Sequence, residues 1–400
     1  MARITSHGPW PPAQALDAGN RFAGQPDAIA LGRRLFFDVR LSINGAVACA
    51  SCHRPDQALA DGLARSVGLS AVDRNSPSLW NAVHERWFGW DGAADSLWSQ
   101  SIRPLLDPRE MGANAAHVRQ VMAADSDLAC RYRAVVGRRI TAAPATSPVA
   151  PATATATANV AVSPAKPAPV ATIDDDEAVL VDAAKLIAAY VGSLVSGRTA
   201  FDEFRDALVR GDRAAAAAYP LAAQRGLKLF VGRAGCGNCH VGPMFSNGEF
   251  GDIGRPFFIR PGVVDPGRQG GIVALRASRY NLLSRWADAG DVDAALKTRH
   301  LAAQHRNFGE FKVPSLRNVA LTAPYMHDGS IALLDDVLTH YSELDLERLH
   351  ADGEQLLKPL HFSAGERADL LAFLHTLTDA RAREEPPVSD PPCDDAQPAR

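Results

Sequence analysis

Helical periodicity is the strongest signal in the hydrophobic pattern of this chain. From Asp27 to Phe37, apolar residues recur at helical spacing and predict a helix packed on one face. The same spacing returns after Ser363, where Glu366 completes the S-x-x-E capping box that marks a helix start. Helical regions are also predicted over 115–136 and 198–213. The pattern therefore predicts a mainly α-helical fold.

One apolar stretch is long enough to raise the question of a membrane span. It runs from Ala178 to Val195 and contains Asp182 and Lys185. Because a span needs about 20 predominantly apolar residues with few or no charges, we interpret it as a buried helix. We therefore expect no membrane span in this chain.

The composition changes abruptly in the middle of the chain. Residues 141–172 are mostly Ala, Pro, Thr and Val, with Lys166 as the one charge. Such a segment cannot bury enough apolar surface to order itself. We predict a disordered insertion over 141–176, between an N-terminal domain at 20–140 and a C-terminal domain at 177–383. The Pro/Asp-rich tail at 384–400 is also predicted to be disordered.

A short pattern occurs twice and indicates an internal repeat. G-x-x-L-F stands at Gly32–Phe36 and again at Gly226–Phe230. Each copy precedes a C-x-x-C-H motif. The repeat predicts two copies of a small helical domain, each with a helix leading into its motif.

The two C-x-x-C-H motifs carry the chemistry. They are formed by Cys49, Cys52 and His53, and by Cys236, Cys239 and His240. This is the attachment signature of c-type haem, in which two thiols bond the haem and the adjacent imidazole binds iron. A zinc site made by pooling the four cysteines is an alternative, but it gives no role to the repeated His. A thioredoxin-like dithiol would need a β-α-β pattern, which is not visible.

The remaining features concern compartment and partners. A net charge of −3 and a pI near 6.5 argue against nucleic acid binding. Cys130 and Cys393 are far apart in sequence, and we predict free thiols rather than a disulfide. Covalent haem implies export to the periplasm, although Met1–Gly19 lacks the apolar core of a signal peptide. We give the haem motifs the greater weight.

Further motifs extend the picture to nearly the whole chain. They are N-S-P at Asn75–Pro77, W-D-G at Trp90–Gly92, E-M-G at Glu110–Gly112 and P-S-L-R-N-V-A-L-T-A-P-Y-M-H-D-G at Pro314–Gly329. With the haem motifs, they resemble the bacterial di-haem cytochrome c peroxidase superfamily, and within it the MauG/MbnH-like branch. The resemblance implies two cytochrome c-like haem domains in tandem, a peroxide site at the first haem and electron exchange at the second. It also implies that Trp90 lies between the haems.

The resemblance assigns the distal side of the first haem to Gln100, Pro104 and Glu110. Glu110 would be the acid/base, Gln100 would hydrogen-bond the oxygen ligand, and Pro104 would shape the pocket. Ordinary di-haem peroxidases cap this haem with a His from the following loop. Residues 54–74 contain no His, Met or Lys. The resemblance therefore implies an open first haem, as in the MauG branch.

The second haem has two candidates for its ligand opposite His240. The family position falls on Tyr341, whose phenolate would favour oxidised iron. Met326 is the rival, as a soft ligand, while His327 and His340 are lesser rivals. The resemblance also implies a calcium ion between the domains, held by Asn75, Thr322 and Pro324 with several waters.

Three functions remain open from the sequence. The first is a MauG-like enzyme that uses hydrogen peroxide to oxidise a partner protein through a high-valent di-haem state. The second is a cytochrome c peroxidase that takes electrons from a small cytochrome c or cupredoxin. The third is a non-enzymatic di-haem electron carrier with both haems capped. The absence of a loop His and the presence of Tyr341 favour the first.

Overall fold

The structure, a computed structural model, describes residues 2–13, 16–140, 173–255, 258–288, 292–349, 356–390 and 393. Most of the insertion predicted at 141–176 lies outside these residues. The described part is helix-rich with little strand, which confirms the mainly α-helical fold class. The helices, in chain order, are α1 (Ala2–Thr5), α2 (Pro26–Phe37), α3 (Cys49–Cys52), α4 (Leu97–Leu106), α5 (Ala115–Ala124), α6 (Ser126–Val136), α7 (Ile173–Ser193), α8 (Ala200–Arg210), α9 (Arg213–Ala217), α10 (Leu221–Val231), α11 (Arg268–Ala277), α12 (Val292–Arg299), α13 (Leu334–Ser342) and α14 (Ala364–His375).

Two short antiparallel pairs of strands complete the described elements. β1 (Phe250–Gly251) pairs with β4 (Phe311–Lys312), and β2 (Phe258–Arg260) pairs with β3 (Val263–Val264). The β1–β4 pair lies against the W-D-G turn, because the Lys312 amide donates to the Trp90 carbonyl over 2.8 Å. The strands therefore connect the C-terminal half to the turn that carries Trp90.

The first hydrophobic core is built around α7. Helices α2, α4 and α5 pack on it, and its buried face includes Leu186 and Tyr190. The helix is buried on nearly all sides, as its almost continuous apolar sequence predicts. The domain boundary predicted at residue 177 therefore does not coincide with the boundary between the cores, because α7 packs with the N-terminal helices.

The second core is formed by α8, α10, α13 and α14. Phe201, Phe230, Phe245 and Phe373 make edge and tilted ring contacts at its centre. The predicted capping box at the start of α14 is present, since Ser363 Oγ accepts from the Glu366 amide and Glu366 Oε2 accepts from the Ser363 amide.

The repeated glycines have the same role in both domains. A Cβ at Gly32 of α2 would lie 1.9 Å from the Leu186 carbonyl oxygen of α7. A Cβ at Gly226 of α10 would lie 1.9 Å from the Asp369 carbonyl oxygen of α14. Only glycine allows these helix backbones to approach so closely. The G-x-x-L-F repeat therefore marks one helix crossing in each domain.

The C-terminal tail corrects two predictions. Cys130 and Cys393 form a disulfide with a Cα–Cα distance of 6.2 Å, so the prediction of free thiols was wrong. Residues 384–390 pack against the first domain, where Glu385 pairs with Arg33 and accepts from the Tyr190 hydroxyl over 2.8 Å. The fold brings two cysteines together that are 263 residues apart, which no sequence spacing could indicate.

Among the described residues, no helix has the length and apolar character needed to cross a bilayer. The interpretation of the Ala178–Val195 stretch as a buried helix agrees with this finding. Asp182 accepts from the Tyr132 hydroxyl over 2.6 Å, and Lys185 pairs with Asp288 at 2.6 Å. Both charges of the stretch are therefore satisfied inside the protein.

Candidate haem sites and the segment between them

Each C-x-x-C-H motif forms a tight turn that ends at its His. The His53 amide donates to the Cys49 carbonyl over 3.0 Å, and the His240 amide donates to the Cys236 carbonyl over 2.9 Å. These bonds bring the two cysteines and the imidazole of each motif onto one local turn. None of the four thiols is in a disulfide. The geometry fits the attachment of one haem at each motif.

The four cysteines do not form one shared metal site. Burial raises the pKa of Cys49 to about 12 and that of Cys236 to about 11. No group of three or more His, Cys, Asp or Glu side chains converges on a metal-sized position within the described ranges. The pooled zinc site is therefore disfavoured.

Both histidines have one ring nitrogen fixed by a backbone carbonyl. His53 Nδ1 lies 3.1 Å from the Leu59 carbonyl oxygen and 3.2 Å from Ser76 Oγ, and His240 Nδ1 lies 2.9 Å from the Phe245 carbonyl oxygen. Desolvation lowers the pKa of both rings, which favours the neutral form. An imidazole with Nδ1–H donated to a carbonyl presents Nε2 to iron, the usual arrangement of a metal-bound His.

Glu110 is a half-buried carboxyl whose charge acts on the first motif. Desolvation is the main cause that raises its pKa, and the charge of Asp107 raises it further, against the opposing effects of Arg103 and Arg109. The charge of Glu110 also contributes to the raised pKa of Cys49 and of Cys52. A carboxyl in such a position can hold or release a proton near the first haem.

The other distal residues lie on α4 and the loop that follows it. Gln100 Oε1 accepts from Arg103 Nη1 over 3.3 Å, and the Pro104 carbonyl accepts from the Met111 amide over 3.1 Å. The loop 54–74 crosses this region, since a Cβ at Gly68 would lie 2.6 Å from Glu110 Cα. Gln100, Pro104 and Glu110 are thus carried by one helix end and its loop.

Trp90 contacts both halves of the protein. Its indole Nε1–H donates to the Asn75 carbonyl over 2.9 Å, and its carbonyl accepts from the Lys312 amide. Asn75 is next to Ser76, whose hydroxyl lies beside His53. Lys312 is next to Val313, whose carbonyl accepts from Ser246 Oγ over 2.6 Å, and Ser246 is next to Phe245, whose carbonyl oxygen lies 2.9 Å from His240 Nδ1. A short series of contacts through Trp90 therefore joins the two histidines.

Tyr341 lies on α13 and is half-buried. Desolvation raises the pKa of its phenol, and the charges of Cys236 and Cys239 raise it further. His340 Nε2 instead lies 2.8 Å from the Ile253 carbonyl oxygen, and the His327 ring stacks on Phe311 with centroids 3.5 Å apart. Met326 is partly buried and has a positive φ of 73°.

The residues assigned to calcium lie on two neighbouring segments. The Asn75 amide donates to the His327 carbonyl over 2.9 Å, which joins the N-S-P segment to residues 322–329. Asn75 Nδ2 donates to the Leu63 carbonyl over 2.8 Å, and Thr322 Oγ1 donates to the Val319 carbonyl over 3.3 Å. The arrangement brings the N-S-P segment and residues 322–329 together.

Sequence reasoning did not single out the charged residues around the Trp90 turn. Arg74 pairs with Asp91 at 2.7 Å and with Asp265 at 2.8 Å, and Arg268 donates to the carbonyls of Asp91 and Gly92. These four residues are dispersed over almost 200 residues of sequence. An isolated Arg or Asp in a loop does not indicate a functional site from sequence alone.

Two helical cores, each with one C-x-x-C-H turn and a histidine oriented by a carbonyl, define a di-haem c-type cytochrome. The family model for the di-haem cytochrome c peroxidase matches residues 26–210. Methylamine utilization protein MauG of Methylorubrum extorquens is 32% identical over 354 residues, covering 88% of this chain and 78% of that protein. The chain belongs to the di-haem cytochrome c peroxidase family, whose members are peroxide-using oxidoreductases with two c-type haems.

Other similar proteins are named either as cytochrome-c peroxidases or as MauG-like proteins. Cytochrome-c peroxidase IdrP2 of Pseudomonas sp. is 31% identical over 391 residues, covering 96% of this chain and 88% of that protein. Among solved structures, a MauG-like protein associated with microbial copper homeostasis is similar, with a TM-score of 0.66 and 26% identity. That similarity covers 96% of this chain and 99% of the solved one.

Proposed function

We propose that this protein is a periplasmic enzyme of the MauG-like kind, which uses hydrogen peroxide at the haem on His53 to oxidise a partner protein. Haem, when bound, supplies the iron that reacts with peroxide and holds the oxidising equivalents. The observation that carries the proposal is the Glu110 carboxyl, whose pKa is raised by desolvation and whose backbone packs against the loop 54–74, a loop without His, Met or Lys. Peroxide then has a proton-transfer group and an open approach.

Glu110 performs the proton transfer that peroxide needs. Splitting the O–O bond requires a proton to move from one peroxide oxygen to the second, which then leaves as water. A carboxyl with a raised pKa can accept and return a proton near neutral pH. Gln100 contributes an amide that hydrogen-bonds the oxygen ligand, oriented by Arg103 through its Oε1. Pro104 limits the space beside them.

Trp90 connects the two sites in this proposal. Reduction of one peroxide to two waters consumes two electrons and two protons, and these electrons come from outside the chain. The hydrogen bonds from Trp90 to Asn75 and from Lys312 to Trp90 support an electron route across the domain interface. An indole on this route offers an oxidisable π system.

Tyr341 supports the MauG-like assignment of the second haem. The charges of the thiols of the second motif act on the pKa of its phenol, whereas His340 Nε2 lies 2.8 Å from the Ile253 carbonyl oxygen. A phenolate ligand favours oxidised iron, which suits a site that must hold oxidising equivalents until a partner protein arrives. Met326 remains the rival ligand.

A cytochrome c peroxidase is the second candidate, favoured by relatives that carry this name. It would take electrons from a small cytochrome c or cupredoxin. In such enzymes the first haem must be uncapped by prior one-electron reduction. The two candidates therefore differ in whether the fully oxidised protein reacts with peroxide.

The test is stopped-flow mixing of the fully oxidised holoprotein with one equivalent of hydrogen peroxide. We expect rapid spectral change without prior reduction, and no acceleration after one-electron reduction. A reaction that requires prior reduction would support the peroxidase. No reaction in either state would contradict both and leave a di-haem electron carrier.

The proposed compartment has independent support. The Cys130–Cys393 disulfide is typical of proteins in oxidising compartments, as covalent haem attachment is of exported ones. The partner is then a small periplasmic protein, with no role for nucleic acid or a membrane span.

We also propose a calcium ion at Asn75, Thr322 and Pro324. The contact between Asn75 and the His327 carbonyl brings these two segments to the Trp90 region, where an ion would brace the domain interface. Removal of calcium with EGTA should weaken redox coupling between the haems. Unchanged coupling, with no calcium found by elemental analysis, would contradict the site.

A further inference from the structure

Four charged side chains surround the turn that carries Trp90, and we refer to Arg74, Asp91, Asp265 and Arg268 as the interdomain charge cluster. Arg74 donates to both carboxylate oxygens of Asp265 over 2.8 Å and pairs with Asp91 at 2.7 Å. Asp265 has a fully buried side chain, and the Asp91 side chain is 10% exposed. The cluster thus joins the N-terminal half to the C-terminal half beside the proposed relay.

Arg268 is the most constrained member of the cluster. Its Nη1 donates to the carbonyls of Asp91 over 3.2 Å and Gly92 over 2.9 Å. Its guanidinium lies between two rings, 4.4 Å from the Trp87 centroid and 4.0 Å from the Phe250 centroid. Burial lowers its pKa to about 10, so the side chain remains charged at neutral pH.

The four charges of the cluster sum to zero. Arg74 is shared by two aspartates, so these three side chains together carry one negative charge. Arg268 supplies the positive charge that balances them. Of the other charges nearby, Lys312 is paired with Glu85 and adds no net charge. Because the cluster is buried, loss of one charge would act strongly on its neighbours.

Trp90 is sensitive to such a change because of its hydrogen bond. The indole Nε1–H donates to a backbone carbonyl, which is a hydrogen-bond acceptor but not a base. If Trp90 gave up one electron, its Nε1 proton would have no basic acceptor and would remain on the ring. The oxidised indole is then a cation, which neighbouring negative charge stabilises and positive charge destabilises.

We propose that the interdomain charge cluster controls how readily Trp90 is oxidised, with Arg268 as the positioning residue that both holds the turn and keeps the cluster neutral. A neutral cluster lets an electron pass through Trp90 without the oxidising equivalent remaining on the indole. This inference rests on the proposed function, since it assumes that Trp90 relays electrons between the haems.

The test compares charge variants after addition of one equivalent of peroxide, with the Trp90 radical measured by freeze-quench EPR. Arg268→Gln leaves the cluster with one negative charge and should raise the radical yield by about tenfold. Asp265→Asn leaves one positive charge and should lower the yield below wild type. The double variant Arg268→Gln/Asp265→Asn restores neutrality and should return the yield to the wild-type level. Arg276→Gln, on the same helix, is the matched control.

A structural role would give a different pattern. Both single variants would then change the radical yield in the same direction, and the double variant would be worse than either, which would overturn the proposal. Adding Trp90→Phe to Arg268→Gln must abolish the radical, and a surviving signal would also overturn it. Asp91→Asn provides a second positive-charge variant if Asp265→Asn fails to fold.

Failure of the proposed function is distinguishable. If wild-type protein does not react with peroxide, the proposed function is wrong. In that case the electron route can be driven by chemical oxidation of the holoprotein, and the same order of Trp90 radical yields is expected among the variants. The absence of that order would then contradict the charge control independently of peroxide.

Discussion

Glu110 acquires its proposed role from burial. Desolvation raises its pKa more than any neighbouring charge does, and two arginines oppose the shift without reversing it. A carboxyl that is costly to ionise in the folded protein is a good proton carrier near neutral pH. The same desolvation lowers the free energy of unfolding when the carboxyl is ionised.

Glu110→Gln should separate these two effects. We expect peroxide reactivity to fall by about 10²- to 10⁴-fold, because the amide cannot transfer the proton, while both haems stay attached. Since the folded pKa lies above the unfolded one, the native protein loses relative stability as the pH rises through the folded pKa. The variant should therefore be more resistant to urea at neutral pH. Stopped-flow rates and urea melts are the measurements.

The control for this prediction is Glu343→Gln, at the exposed end of α13. It should leave both the rate and the urea midpoint unchanged. An unchanged peroxide rate in Glu110→Gln would remove Glu110 from the mechanism.

Tyr341→Phe tests the ligand of the second haem. If the phenolate binds iron, its loss should alter the low-spin ferric spectrum of that haem, because the ring has no other donor atom. Met326→Leu is the paired variant and should leave the spectrum unchanged. The reverse result, a change in Met326→Leu alone, would assign the ligand to Met326.

At the scale of elements, the repeated G-x-x-L-F pattern corresponds to a close crossing of two helices at a glycine in each domain. Gly32 and Gly226 each allow a haem-domain helix to meet the backbone of a partner helix. The helices α2 and α10, which contain them, lead into the haem turns. The crossing therefore sets where each C-x-x-C-H motif stands relative to its core.

Gly226→Ala should destabilise the protein, because the added methyl group would collide with the Asp369 carbonyl of α14. We expect a loss of about 1–3 kcal/mol in the free energy of unfolding. Gly365→Ala on α14, where a Cβ meets no atom within 4 Å, is the control and should be neutral or slightly stabilising. Equal effects of the two substitutions in denaturant melts would contradict the crossing.

Elements were predictable where local signals decide them. The helix at 27–37, the capping box at Ser363 and the buried nature of Ala178–Val195 all follow from spacing and charge. The assignment of α7 to the first core was not predictable, because the insertion obscures which half it joins. A helix buried on all sides has no polar face that would indicate its neighbours.

At the scale of the whole molecule, the C-terminal tail returns to the first domain. Glu385 pairs with Arg33, Asp390 pairs with Arg131 at 2.7 Å, and Cys393 is bonded to Cys130. The tail therefore fastens the end of the second half of the chain to the helices of the first.

Cys393→Ser should lower the free energy of unfolding by about 2–4 kcal/mol, since the disulfide limits the unfolded chain. The haem sites do not contact this bond, so we expect the peroxide rate of the folded variant to be unchanged. Thermal unfolding monitored by circular dichroism measures the loss. Ser389→Ala, in the same tail, is the control, and an equal midpoint in the two variants would contradict a stabilising role.

Long-range convergence is what the sequence could not predict. The haem motifs are local, so Cys49, His53, Cys236 and His240 are readable from spacing alone. The disulfide and the interdomain charge cluster depend on how distant segments meet, and no pattern in the chain encodes that meeting. The resemblance to a family supplied Glu110 and Tyr341, but it did not supply Arg268.

The most direct test of the account is low-temperature EPR of the fully oxidised holoprotein as isolated. An open first haem and a six-coordinate second haem predict one high-spin and one low-spin ferric signal in equal amounts. Two low-spin signals would mean that a side chain caps the first haem in the resting state. That result would contradict the open peroxide site and place the reductively activated peroxidase or the electron carrier ahead of the MauG-like enzyme.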